Sequence, residues 1–313
     1  MKETWKKRLK EHLPDRVVYL YLLTRQLPGF AAACIRDRNR EAPKLRFYDD
    51  QETVDMLISQ RKSLSRFGDG EIRWMFGVDL PSFQSYSPEL AEELTRVFQS
   101  RDENLLIGIP RGVVDCRECN LYAKMHWRTI RGEFYSRILQ LADRERIYCN
   151  ASITRPYIDY HDRQASARRF ENLRRLWQGR DIVIVEGERS KLGVGNDLFS
   201  NAASLRRILC PATNAYEKID AIEAAIRTHA KKDALLLAAL GPTATVLAAR
   251  MCTAGYQMVD IGHIDVEYIW YLRGDLLRKP IAGKHVLESG VTDCPGQYEE
   301  DVQYQSSILC RVL

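Results

Sequence analysis

The sequence predicts an α/β domain built on a mostly parallel sheet with helices on both faces, and three observations predict it. Continuous apolar runs of strand length recur, Asp181-Ile182-Val183-Ile184-Val185 and residues 234–240 being the clearest. They lack the polar alternation of a sheet with one wet face, so each strand is expected to be covered on both sides. These runs alternate with helix-length segments, the pattern of βα units. Glycines, polar residues and charges gather directly after the runs, where open α/β sheets place their ligands.

The elements follow in order. Residues 2–40 are basic and partly amphipathic, with Trp5, Leu9, Leu13, Val17 and Leu20 at roughly helical intervals. That spacing reads as a surface helix packed on the domain, or as a helix lying on a membrane surface. Regular alternation begins at residue 49. A helix is expected over 53–61, a strand over 63–67, and a helix over 88–99 with Ser87 as N-cap and Pro88 in the first turn. A strand at 105–109, a long helix at 121–141, a strand at 147–149 and a strongly charged helix at 161–177 come next. Strands at 181–185, 205–210, 234–240 and 259–261 then alternate with helices at 216–229, 243–254 (stopped by Gly255) and 266–272. The alternation fades after residue 277. The division expected is therefore a basic, partly helical extension over 1–48, a domain over 49–275, and an irregular C-terminal wrap over 276–313.

Composition narrows the function. A chain of 313 residues with 45% hydrophobic and 28% charged residues is ordinary for a globular protein with a substantial core. The net charge of +5 suits an anionic small ligand or an anionic membrane surface. It falls short of the dense basic clustering of a nucleic-acid binder, and aromatic residues are not interleaved with the basic ones, so no nucleic-acid partner is expected. Eight scattered cysteines, mostly inside apolar runs, read as reduced thiols and a cytoplasmic setting. Cys116 and Cys119 have no second Cys/His pair at finger spacing, so they read as a chance pair in a loop. The apolar run 17–23 is too short to span a bilayer and is followed by no small-residue cleavage site.

Candidate chemistry sits on the turns after the strands. Ser65-Arg66-Phe67-Gly68-Asp69-Gly70-Glu71 puts two carboxylates two residues apart on a glycine-framed turn, with an arginine just upstream. Hard divalent cations take oxygen ligands, so Asp69 and Glu71 are candidate ligands for Mg²⁺ or Mn²⁺, and Arg66 a candidate phosphate contact. An Asp-x-Glu pair alone also describes a solvated turn. Pro110-Arg111-Gly112, the run from Asn150 to Arg155, Glu186-Gly187-Glu188-Arg189-Ser190, Gly241-Pro242-Thr243 and Gly262-His263-Ile264-Asp265 follow the other strands. Arg111 and Arg155 read as phosphate contacts or as surface ion-pair partners. Glu186 and Glu188 read as site residues or as helix caps. Gly241, Pro242 and Thr243 open a helix whose N-terminal amides could receive phosphate. Gly193-Val194-Gly195-Asn196-Asp197 lacks the spacing of a dinucleotide or P-loop fingerprint and reads as a tight turn, although Asn196 and Asp197 could reach sugar hydroxyls. His263 reads as a structural histidine or as a metal or phosphate contact. Tyr268, Trp270 and Tyr271 lie at helical spacing and read as packing.

The blocks 65–71, 150–160, 185–199 and 241–268 together resemble the GT-D fold glycosyltransferases, a family earlier catalogued as a domain of unknown function. The resemblance covers about residues 49–273, with its blocks in the family's order. It implies a Rossmann-like domain of the GT-D type, an Asp-x-Glu metal motif matched by Asp69 and Glu71, and a nucleotide-sugar donor, usually UDP-glucose. It also implies a role in building bacterial glycoprotein glycans or surface polysaccharide.

These readings combine into an expected metal-dependent glycosyltransferase of the cytoplasm, with peripheral contact at the inner membrane face and a glycan, glycoprotein or lipid-linked oligosaccharide as acceptor. Asp69, Glu71 and His263 would face the metal. Arg66, Gly68, Arg155, Glu188, Asn196, Asp197 and the Gly241-Pro242-Thr243 helix start would face the substrates. Asp265 is favoured as the base for the acceptor hydroxyl over Glu267 and Glu188. A nucleotidyl- or phosphotransferase using the same metal-diphosphate chemistry is one alternative, and a non-catalytic nucleotide-sugar-binding subunit is another. A homo-oligomer is compatible with the sequence.

Overall fold

The computed structural model describes residues 13–37, 45–79, 84–286 and 301–313. Its centre is a nine-stranded sheet in which every pairing is parallel. In chain order the strands are β1 (Arg46–Phe47), β2 (Ser63–Arg66), β3 (Leu105–Ile109), β4 (Ile147–Asn150), β5 (Asp181–Gly187), β6 (Ser204–Cys210), β7 (Leu235–Ala239), β8 (Gln257–Asp260) and β9 (Ile308–Arg311). Across the sheet they run β1-β4-β3-β2-β8-β7-β5-β6-β9. The chain builds outward from β2 through β3 to β4, crosses to β5 and β6, then returns through β7 and β8 to close beside β2. That join of the two halves is a switch point, where the loops leaving the strand ends separate and open a crevice.

The helices are α1 (Asp15–Asp37), α2 (Asp50–Ser59), α3 (Asp69–Met75), α4 (Pro88–Phe98), α5 (Leu121–Leu141), α6 (Ser166–Arg174), α7 (Ile219–His229), α8 (Pro242–Thr253), α9 (Ile264–Arg273) and α10 (Val302–Ser307). Successive side chains of a strand point to opposite faces, and the core divides accordingly. Val183, Val185, Leu236 and Ala238 join one cluster with residues of α4, α5, α7 and α8. Ile182, Ile184, Leu235 and Leu237 join the other with residues of α2, α6 and α9. Both faces are dry, which is why these strands read as unbroken apolar runs. Local signals set the helix starts: Asp49 and Glu52 form a reciprocal capping box at α2, Ser87 caps α4, and Asn120 caps α5.

Three expectations need correction. Residues 301–313 are no irregular wrap, since α10 leads into β9, which adds to β6 as an edge strand. A helix over 161–177 forms only at Ser166–Arg174, because the Asp162 carboxylate accepts the N–H groups of Gln164 and Ala165 and holds the segment before it in a turn. Of the two readings of the N-terminal stripe, packing on the domain is the one corrected, for its described residues face outward. Leu13, Val17 and Leu20 are exposed, while Val18 and Ala33 are buried on the face that packs against α5. Trp5 and Leu9, and most of the tail after residue 286, lie outside the described residues.

Candidate active site

β2 ends at Arg66, and the chain turns through Phe67 and Gly68 into α3, so Asp69 and Glu71 fall in the first turn of that helix. Acidic side chains there complement the positive end of the helix dipole. Glu71 Oε2 also accepts the N–H of Gly68 at 2.9 Å, one arm of a capping arrangement. The Asp-x-Glu pair is thus fixed by helix-start chemistry at a strand end. From the second turn of α5, His126 places Nε2 3.4 Å from Asp69 Oδ2.

The two carboxyls are pushed apart. Burial works to raise Asp69, but the hydrogen bond and charge of His126, with Arg155 and Arg73, hold it well below the usual carboxylate range. Burial, followed by the charges of Asp260 and Asp69, pushes Glu71 up to about 7. Neighbouring carboxylates that resist a shared negative charge are what a bound cation would relieve.

Asp260, the last residue of β8, is the third carboxylate of this cluster. Sequence reading passed over it, although a charged residue ending an apolar strand is the same signal that singled out the other turns. His126 carried no such signal, because only the packing of α5 brings it to Asp69. Arg66 proves to be a strut. Its Nε donates to the Asp260 carbonyl (2.7 Å), Nη2 to Asp260 Oδ1 (2.8 Å) and Nη1 to the Ala151 carbonyl (3.0 Å). All three nitrogens are engaged in joining β2 to β8 and to the turn after β4, so in this structure Arg66 braces the strand ends. Gly262 closes over this guanidinium with φ +48°, and a Cβ there would lie 2.3 Å from Nη2. Arg155, half-buried after β4, acts electrostatically on both Asp69 and Glu267.

On the other side of the loop after β8, a cleft opens over the ends of β5, β6 and β7. Arg189, Ser190, Asn214, Gly241, His263 and His285 are among its lining residues. Gly241, at φ +56° and ψ −139°, takes a backbone shape that other residues avoid, and it starts α8 at the cleft wall. The helix start offers fewer donors than expected. Pro242 has no N–H, and that of Ala244 is donated to the Gly241 carbonyl at 2.9 Å. Thr243 is fully buried behind it, its hydroxyl without a hydrogen-bond partner.

Four expected site residues lie elsewhere. Asp265 is 1% exposed, its Oδ2 accepting from Lys284 Nζ and from the Gly193 N–H, so it is a buried ion-pair member and is not placed to meet an acceptor. Asn196 Oδ1 accepts the Leu198 N–H and shapes its own turn. Asp197 is exposed, accepts from the Tyr268 hydroxyl (2.8 Å) and lies 3.6 Å from Arg174, at the outer edge where α6 meets α9. Glu188 sits near Tyr304, and only its neighbours Gly187, Arg189 and Ser190 reach the cleft. Tyr268, Trp270 and Tyr271 pack as expected, with Tyr268 edge-on to Phe170 at 4.9 Å.

The family described as Glycosyltransferase GT-D fold matches residues 64–289, well over half of the chain and the whole span from β2 to beyond α9. The chain belongs to the GT-D glycosyltransferase family. Among solved structures, a glycosyltransferase (DUF1792) from Streptococcus sanguinis is 34% identical, with a TM-score of 0.81 over 86% of this chain and all of that one. A second, described as a domain of unknown function 1792 with a distinct glycosyltransferase fold, is also 34% identical, with a TM-score of 0.80 over 90% of this chain and 99% of the other. Glycosyltransferase GlyD of Streptococcus pneumoniae serotype 4 is 36% identical over 84% of this chain and 32% of its own length. The probable glycosyl transferase Gly of Streptococcus gordonii is 37% identical over 83% of this chain and 38% of its own. The chain thus spans about a third of the length of these curated relatives. The GT-D glycosyltransferase fold covers the elements that position Asp69, Glu71, Asp260 and the cleft.

Proposed function

We propose that this GT-D protein transfers a sugar from a nucleotide-sugar donor, UDP-glucose first among the candidates, to a glycan hydroxyl in bacterial glycoprotein or surface-polysaccharide synthesis. The observation that carries the reading is the convergence of Asp69, Glu71 and Asp260 at the sheet's switch point, beside a polar cleft, in a chain of this family. The carboxylate set fits a divalent cation, since Glu71 is raised to about 7 by burial and then by its two acidic neighbours. Asp69 and Glu71 would hold Mg²⁺ or Mn²⁺, which supplies Lewis-acid neutralisation of the departing diphosphate. Among the described residues no group of three or more His, Cys, Asp and Glu side chains is arranged to hold a metal. The remaining oxygen ligands would therefore come from substrate and water, the usual habit of Mg²⁺ in phosphate chemistry.

The chain's own residues do the rest. His126 and Arg155 keep Asp69 ionised, and Arg66 fixes the loop after β8 that carries His263 to the cleft. The cleft takes the nucleotide portion of the donor. A second groove, over the ends of β3 and β4, is lined by Trp127, Arg111, Asp159 and Tyr160 and offers the aromatic and polar mixture that suits an acceptor sugar.

The test is UDP release from a panel of UDP-sugars by the purified protein, with Mn²⁺ or with EDTA. Asp69→Asn and Glu71→Gln should each lower turnover by roughly 100-fold or more while the fold survives. Turnover that persists in EDTA and in both variants would overturn the metal reading. Release of sugar 1-phosphate, with transfer of UMP, in place of UDP would favour a nucleotidyltransferase.

A further inference from the structure

We infer that the outward face of α1 is an interfacial helix that docks the protein peripherally on an anionic lipid surface. Twelve large hydrophobic residues are exposed among the described ones, and six of them, Leu13, Val17, Leu20, Tyr21, Leu27 and Ile35, lie on α1 or just before it. Leu20 is 63% exposed and Ile35 76%. This helix and the residue just before it therefore carry half of the exposed large hydrophobic side chains among the described residues.

They are also aligned. At roughly 100° per residue, the six fall within a stripe about 120° wide, which exposed Pro28 and Ala31 continue. Arg16 borders one side of the stripe, and Arg25 and Arg36 border the other, all three exposed. Both acids of the helix turn away: Asp15 pairs with Lys279 at 2.9 Å, and Asp37 with Arg131 at 2.8 Å. The outward face is thus apolar at its centre apart from Thr24, whose hydroxyl donates to the Tyr21 carbonyl at 2.7 Å, and cationic at its margins, with no acid on it. That is the arrangement of a helix lying in the headgroup layer, where arginine stems flank the buried stripe and their guanidinium groups meet phosphate.

The sequence just before it adds to the charge. Residues 1–12 hold Lys2, Lys6, Lys7, Arg8 and Lys10 against Glu3 and Glu11. No described helix is long and apolar enough to cross a membrane, so the contact is peripheral. A second copy of the chain is a poorer occupant, because pairing two such faces would oppose arginine margins with no carboxylate on the stripe to match them.

The experiment is co-sedimentation of the full chain with phosphatidylcholine vesicles, with and without phosphatidylglycerol. Binding should need phosphatidylglycerol and fall as salt is raised. The double variant Leu20→Glu/Leu27→Glu should bind at least roughly tenfold more weakly, with unchanged circular dichroism and UDP release. Arg16→Gln/Arg25→Gln should weaken binding and flatten its salt dependence. Equal sedimentation of wild type and the Leu20→Glu/Leu27→Glu variant would overturn the inference. So would loss of binding on deleting residues 1–12 alone while the stripe variant binds normally. A concentration-dependent dimer in analytical ultracentrifugation that disappears in the stripe variant would assign the face to a second copy instead.

Discussion

Asp69 and Glu71 have the same charge and nearly the same address, yet their carboxyls are driven in opposite directions. Asp69 has His126 and two arginines to stabilise its anion, whereas Glu71 is desolvated beside Asp260 and Asp69 and has only backbone N–H groups to stabilise its own. A cation bound between the two would favour the ionised form of Glu71 and relieve its repulsion from Asp69 and Asp260. His126 is a positioning residue in this scheme. Removing it should let the Asp69 carboxyl rise toward its ordinary value and loosen its hold on the cation, so the Mn²⁺ concentration that gives half-maximal turnover should rise. His126→Ala should also lower turnover by roughly tenfold, as loss of an outer partner of a metal ligand commonly does. His126→Gln, which keeps a donor, should restore most of the loss. A Mn²⁺ dependence unchanged in His126→Ala would refute the role.

At the scale of elements, two buried ion pairs clamp the loop that follows β5. Glu186 on β5 meets Arg207 on β6 with side chains 0% and 4% exposed, and they grip Leu192 from both ends: Glu186 accepts its N–H at 2.7 Å and Arg207 donates to its carbonyl at 2.8 Å. Asp265 on α9 and Lys284 hold Gly193 and the Lys191 carbonyl. The glycine-rich run read as a tight turn is thus tied down by charge from three directions. Arg207 also donates to Ser307 at 3.1 Å, coupling the loop to α10 and β9. Breaking one partner of a dry pair strands the other. Arg207→Met should therefore cost about 3–5 kcal/mol, and the double variant Glu186→Leu/Arg207→Met should recover most of it. Urea unfolding of the three proteins checks this, and equal losses in the single and double variants would show that the pair is not the unit that matters.

For the molecule as a whole, the same burial leaves a pH signature. Glu267 on α9 is 1% exposed and accepts the Ile158 N–H at 2.9 Å. Burial, opposed by Arg155 and reinforced by Asp159, pushes its carboxyl from 4.5 up to about 7. Between those values the folded protein holds a proton that the unfolded chain has released, so the contribution is full below pH 4.5 and is lost as pH rises to about 7. The change amounts to about 3 kcal/mol at most. Glu71 carries the same sign, and comparison with Glu267→Gln isolates Glu267 alone. That variant should be more stable than wild type at pH 8, and the difference should shrink toward pH 4.5. Parallel stability curves for the two proteins across that range would contradict the assignment.

The order of strands and helices was legible from residue 49 to 273 because parallel strands dry on both faces leave an apolar signature that survives without any contact information. The capped starts at Asp49, Ser87 and Asn120 were written locally, and so was the gathering of polar residues after each strand. β9 was not legible, since an edge strand formed by Ile308–Arg311 owes its place to pairing with β6 rather than to its own short pattern. The sequence by itself determined the fold class, the family and the turn bearing Asp69 and Glu71, all of which depend on neighbours along the chain. Tertiary structure alone decided that Arg66 braces Asp260, that Asp265 is locked to Lys284, that His126 reaches Asp69, and which side of α1 faces out. A side chain's partner across the sheet is set by strand order and helix rotation, and no window of sequence carries either.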